Sequence, residues 1–197
     1  MTQQLPRHPR WLRVLHWLHT GSMLVLLFSG FYITYVHRAF LFSRMDTARL
    51  WHFAAAYLIV WTWVARLYFG LATGEYRELI PRRSDLRELP ALVRYYLFLA
   101  PEVPDYGKYN PGQKLLYSFW PFLLLLQALT GFALYDPNRL QWLWMHDWLL
   151  NLNTVRTIHY LTAVFFAVTT AAHLYLVLTE DLDKLQSMLI DPAERRR

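Results

Sequence analysis

The sequence predicts an all-α protein, a four-helix transmembrane bundle with both termini on the cytoplasmic side. Three observations lead there. Four runs lack Lys, Arg, Asp and Glu, at residues 14–36, 50–65, 115–135 and 157–179, and one helical crossing of a bilayer takes about 20 apolar residues. The composition is 55% hydrophobic and 17% aromatic, yet mean hydropathy is only +0.15, because charged connectors alternate with the apolar runs. Basic residues are distributed unevenly among those connectors.

Arg7, Arg10 and Arg13 precede the first run; Arg77, Arg82, Arg83, Arg87, Arg94, Lys108 and Lys114 lie between the second and third; Lys184, Arg195, Arg196 and Arg197 follow the fourth. Only Arg38, Arg44, Arg49, Arg139 and Arg156 fall on the other side. The positive-inside rule puts the richer side in the cytoplasm. The net charge of +6 is then a topology signal, and a nucleic-acid partner is not expected. With no cysteine in 197 residues, disulfides, thiolate-held iron–sulfur clusters, covalent CxxCH haem and cysteine nucleophiles are all excluded.

Taken in order, residues 1–12 form a short arm made irregular by Pro6 and Pro9. The first span, about 13–36, opens RVLHWLHTG. Basic residues before an apolar run resemble a signal peptide, but the run is too long and lacks an A-x-A site, so it is read as a retained helix. Gly21 and Gly30 leave room for a bulky neighbour or a close helix. The second span, about 49–72, starts RLWHFAAAYLI and carries His52 one turn below the external surface. Arg66 lies fourteen residues on, near the same face. It either snorkels to phosphates or serves as counter-charge to an anionic group between helices.

A long charged connection follows, with ALVRYYLFL as a short interfacial segment. The third span, about 113–135, has no histidine, and its polar or small features are Gln127 and Thr130–Gly131. The Trp-rich loop LQWLWMHDWLL is expected at the interface. The fourth span, about 154–179, holds His159 and His173. Fourteen residues of helix separate these two by about 21 Å but by only about 40° in direction. The whole chain reads as one membrane domain.

Depth pairs the histidines. Spans one and four enter from opposite sides, which puts His16 level with His173 on the cytoplasmic side and His52 level with His159 on the external side. Ionisable groups at such depth are expensive and mark function. Two imidazole pairs about 20 Å apart form the ligand set for two bis-histidine b haems, an electron path across the bilayer. Zinc or copper fits less well, since each level has two imidazoles and no thiolate or acid. His19 is the rival to His16 in span one. A lone intramembrane histidine is more often a polar helix contact, and only the matched set of four reverses that preference. His8, His37 and His146 read as loop residues.

The segments RVLHW, RLWHF, GKYNPGQKLLY, TGF and IHY…AAHLY resemble the di-haem cytochrome b subunits of membrane-bound respiratory dehydrogenases. That family includes formate dehydrogenase gamma subunits and nickel–iron hydrogenase b-type cytochromes. The match covers about residues 10–180, and YNPGQK tilts it toward the formate dehydrogenase branch. The resemblance implies His52 and His159 as ligands of a periplasmic-side haem, and His16 and His173 of a cytoplasmic-side haem. It implies a menaquinone or ubiquinone site at Asn110, Gly112 and His173, and a bacterial inner-membrane location. It also implies partnership with an iron–sulfur subunit and a catalytic subunit. Arg66 would then face a haem propionate. Read without that resemblance, Asn110 before Pro111 and Gly112 is a helix cap. Rival functions are a hydrogenase or thiosulfate reductase subunit, a stand-alone di-haem cytochrome acting on superoxide, and a non-haem membrane scaffold or transporter.

Overall fold

The structure is a computed structural model. It describes residues 9–35, 41–102, 106, 109–138, 151–179 and 182–189. His8, His37 and His146, and the Trp-rich loop of residues 140–150, lie outside the described residues.

The described residues are helical, without strands, in the order α1 Arg10–Thr34, α2 Met45–Thr73, α3 Tyr76–Leu79, α4 Arg83–Tyr96, α5 Pro111–Tyr135, α6 Leu152–Thr179 and α7 Leu182–Leu189. Four of these, α1, α2, α5 and α6, are long and apolar enough to cross a membrane. Their ends fall within about four residues of the expected spans, about 13–36, 49–72, 113–135 and 154–179. Few residues of these four helices are fully buried within the protein, and large apolar side chains such as Trp61, at 71% exposure, are open on their surfaces.

Local chemistry sets the helix ends. Pro9 starts α1, its carbonyl accepting from Leu12 and Arg13 N–H at 3.0 and 3.2 Å. Gly74, at φ +76, stops α2 in a left-handed turn that glycine adopts without strain. Asp85 caps α4 by accepting the Arg82 N–H at 2.6 Å. That helix closes in a Schellman pattern, Phe98 N–H to the Tyr95 carbonyl and Leu99 N–H to the Arg94 carbonyl. Phe98 occupies the left-handed position at φ 59, a strained place for an aromatic residue. Asn110 and Gln113 cap α5 reciprocally. Gln113 N–H donates to Asn110 Oδ1 at 2.8 Å, and Asn110 N–H donates to Gln113 Oε1 at 3.0 Å.

The chain divides into two compact units, Met1–Arg66 with Thr130–Arg197, and Leu67–Leu129. In the first, each helix buries one stripe: Ser22, Ser29 and Tyr32 on α1, Ala48, Ala55, Ile59 and Thr62 on α2, Val155, Thr162 and Phe166 on α6. His52 follows Ala48 by one turn, and His159 follows Val155 by one turn, so both imidazoles belong to these stripes. Aromatic pairs pin the far end: Phe53 on Tyr135 at 4.5 Å, Phe31 on Tyr160 at 6.5 Å, and a hydroxyl–hydroxyl hydrogen bond of 2.8 Å between Tyr35 and Tyr160. At the other end, Trp17 Nε1–H donates to the Met188 carbonyl at 3.1 Å and ties α1 to α7.

In the second unit, Lys114 Nζ meets Asp85 Oδ1 at 2.6 Å, and the Ser118 hydroxyl donates to the Leu79 carbonyl at 2.9 Å. These contacts dock the α3–α4 connector against the start of α5.

Candidate functional site: hydroxyl-held histidines

The most developed polar cluster lies on the buried stripes of the first unit. The rings of His52 and His159 face each other with centroids 6.5 Å apart and planes at 66°. Direct ring packing of aromatic pairs spans about 4.5–7 Å, so the distance alone admits a simple contact. It also fits a metal held between them, because two metal–nitrogen bonds of about 2 Å plus the two ring radii give about 6 Å.

Each ring rests against a hydroxyl and a glycine from a neighbouring helix. Ser29 Oγ lies 2.9 Å from His52 Nδ1, and Thr130 Oγ1 lies 2.9 Å from His159 Nδ1. Both hydroxyl residues are fully buried, at 0% exposure. The next residue in each case is glycine. A Cβ at Gly30 would come 3.3 Å from His52 Cε1, and one at Gly131 would come 3.1 Å from His159 Cε1. The ring edges therefore occupy the space that any larger residue would claim.

Ser29 also shows which way its hydrogen bond runs. Its one proton is directed to the Val25 carbonyl at 2.5 Å, which leaves Oγ to accept from His52 Nδ1–H. With Nδ1 protonated, the neutral imidazole carries its lone pair on Nε2, the nitrogen free to bind a metal.

A third imidazole is held likewise. His19 Nδ1 lies 3.0 Å from Thr62 Oγ1, whose own proton goes to the Ile59 carbonyl at 2.9 Å. This is the rival of His16. His16 itself is half-buried and meets Trp17 edge-on at 5.4 Å. His173 is half-buried on α6, fourteen residues beyond His159. Arg66 is half-buried near the end of the first unit. One turn before it, Trp63 has a buried indole N–H without a hydrogen-bond partner among the described residues. At Gly21 nothing stands within 4 Å of where a Cβ would be, so the space beside that part of α1 is open.

In the second unit, Asn110 is the α5 cap, as its position before Pro111 suggests. A Cβ on Gly112 would meet Leu92 Cδ2 at 3.2 Å and Asn110 Oδ1 at 3.4 Å. Gly112 also opens a groove of about 480 Å³ lined by Leu115, Leu116, Ser118, Phe119 and Phe122, a mainly apolar slot beside the capping amide.

Sequence reasoning matched His52 to His159 by depth, and these two rings do meet. It did not assign Ser29 or Thr62 any part. A serine in an apolar run commonly bonds its own helix four residues back, as Ser29 does, and nothing in the sequence reveals the second contact. Gly30 and Thr130–Gly131 were visible as small or polar features, and the bulky neighbour at Gly30 is an imidazole.

A match to the model of the prokaryotic cytochrome b561 family covers residues 7–190. The chain belongs to that family. Its similarities include two proteins named probable Ni/Fe-hydrogenase B-type cytochrome subunits. The one from Azotobacter chroococcum mcd 1 is 31% identical over 196 residues, 90% of this chain and 82% of that one. The one from Cupriavidus necator is 30% identical over 195 residues, 90% and 80% of the two chains. A third, from Azospira oryzae, carries a provisional name as a protein-methionine-sulfoxide reductase subunit, at 25% identity over 180 residues, 86% of this chain and 89% of that one.

Cytochrome b561 membership implies a b-type haem, and the residues present fit one. His52 and His159, each with Nδ1 already engaged by a hydroxyl, would hold it through their remaining ring nitrogens. Gly30 and Gly131 leave room for those rings. Among the described residues no three of His, Cys, Asp and Glu gather as ligands for a bare ion.

Proposed function

We propose that this chain is the membrane electron-transfer subunit of a respiratory oxidoreductase of the nickel–iron hydrogenase type. In this reading it binds two b haems and delivers electrons to the quinone pool. The names of the more similar relatives favour the hydrogenase alternative over the formate dehydrogenase branch that YNPGQK suggested. His52 and His159 hold the outer haem, and His16 and His173 the inner one. Bound haem supplies one-electron chemistry between its ferric and ferrous states.

The chain's own residues set the conditions for that chemistry. Paired imidazoles, such as His52 with His159, would hold a b haem and would suit it to outer-sphere electron transfer rather than to oxygen binding. Trp63 and Arg66 provide an N–H donor and a positive charge for a propionate. Asn110 presents an amide N–H to a menaquinone or ubiquinone carbonyl, and the slot along Leu115, Phe119 and Phe122 suits an isoprenoid tail. The chain has no cysteine, so iron–sulfur and substrate chemistry belong to partner subunits. Both termini and the α2–α5 connector face the cytoplasm of a bacterial inner membrane, following the excess of arginine and lysine there.

The facing of His52 and His159 at 6.5 Å carries this reading. Its test is a reduced-minus-oxidised spectrum of the purified chain, with haem counted per protein. Wild type binds two b haems, and His52→Ala retains one. A well-folded wild type that stays colourless when supplied with haem refutes the reading. Identification of the subunits that copurify in mild detergent decides between hydrogenase and formate dehydrogenase partners. The Azospira relative favours one second reading, delivery of electrons outward to a sulfoxide reductase; reduction of the haems by quinol, and not by hydrogen through a partner, would select it.

A further inference from the structure

Four features of the outer histidine pair repeat: a buried hydroxyl, an Nδ1 contact of 2.9 Å, a following glycine, and ring packing against the position its Cβ would take. The two copies come from unrelated positions, Ser29–Gly30 on α1 and Thr130–Gly131 on α5. They serve histidines on two other helices, His52 on α2 and His159 on α6. Helix packing alone does not require a hydroxyl at either place. A buried hydroxyl finds an acceptor in its own helix, as Ser29 does at the Val25 carbonyl.

We propose that Ser29 and Thr130 are positioning residues that set the tautomer and electron-donating strength of the outer haem's two axial imidazoles. The proposal rests on the haem reading above. Each hydroxyl oxygen accepts the Nδ1–H of its ring, so that Nε2 keeps its lone pair and the ring cannot rotate about its Cβ–Cγ bond. Partial withdrawal of the Nδ1 proton makes the imidazole a better donor, which stabilises the ferric state. Removing either hydroxyl therefore raises the outer haem's midpoint potential and leaves the inner haem unchanged. The glycines belong to the same device, since they set how near the ring can approach the helix that bears the hydroxyl.

The test is potentiometric titration of the full chain in detergent, with electron paramagnetic resonance of the low-spin ferric haems. The variants are Ser29→Ala, Thr130→Val, Ser29→Thr and Thr130→Ser. The proposal expects an upward shift of one potential and a changed g-tensor for one haem in Ser29→Ala and Thr130→Val. The hydroxyl-keeping variants should restore both. Selective loss of the outer haem in the hydroxyl-free variants, with retention in Thr130→Ser, supports it equally. Unchanged potentials and spectra in the hydroxyl-free variants overturn it, as does an equal shift of both haems. A wild-type chain with no b haem refutes the underlying reading and is distinguished by its spectrum before any variant is made.

Discussion

Replacing Gly131 with alanine puts the fit of the outer site to its sharpest trial. The new Cβ would stand 3.1 Å from His159 Cε1, whereas carbon atoms settle at about 3.5–4.0 Å. The ring must retreat by about 0.4 Å or more, and its freedom is small. Nδ1 is held 2.9 Å from Thr130, the residue next to the substitution, and metal–ligand distances tolerate only about 0.2 Å. Overpacking of this kind costs about 1–3 kcal/mol. At tenfold per about 1.4 kcal/mol, haem binding at the outer site weakens by about 5- to 150-fold. Gly30→Ala, with its contact at 3.3 Å, should fall at the mild end. The assay is haemin titration into haem-depleted protein, following the outer haem through its spectral difference from the inner one. Unchanged affinity in Gly131→Ala would refute the claim that ring position is set by this contact. Equal weakening of both haems would show a general loss of folding instead.

Three further outcomes are expected. Asn110→Asp keeps an acceptor for the Gln113 N–H, so α5 stays capped, but it removes the amide donor; quinone reduction should fall at least tenfold with helix content unchanged by circular dichroism. If the residue is only a cap, Asn110→Asp is silent, and Asn110→Ala costs about 1 kcal/mol of stability. For span one, haem counting should show one haem lost in His16→Ala and none lost in His19→Ala; the reverse would move the inner ligand to the histidine that Thr62 holds. The Lys114 ammonium, and after it the Arg82 N–H, hold the Asp85 carboxyl below the usual carboxylate range. A lowered folded value means that this contact stabilises the protein above about pH 4 and is lost on further acidification. Limited proteolysis of the α4 region in detergent should show protection near neutrality that fails in acid. Asp85→Asn should flatten that profile and be less protected at pH 7.

Much of the fold was legible because charge is costly in lipid. The four runs without charged residues lie almost wholly inside four long helices, which run on into polar flanks such as Arg10 and Asp46 and, in α2, past Arg66 to Thr73, where the headgroup region tolerates charge. The match of His52 with His159 was legible for a related reason, since helix rise converts sequence offset into depth. What depth does not convey is azimuth and donor direction. Ser29 and Ser22 look alike in sequence, and both bond the carbonyl four residues back, yet only Ser29 is shown against an imidazole. His16 and His19 differ by less than one turn; depth favours His16, nearer the surface and level with His173, whereas the hydroxyl contact is made by His19. The cap at Asn110 was readable from Pro111 and Gly112. Its reciprocal partner Gln113 was not singled out, although it stands three residues on where a capping box requires it.

That reciprocal cap has a consequence for anything that docks beside Gly112. Asn110 Oδ1 is already engaged by the Gln113 N–H, so the NH₂ group is the part of the side chain that the cap does not use. A carbonyl oxygen can take a hydrogen bond from that NH₂ without touching the cap, while a hydroxyl proton must share Oδ1 with the Gln113 N–H. At the mouth of α5, then, a visitor that brings only acceptors leaves the helix end undisturbed, and one that brings a donor competes with the backbone for the same oxygen.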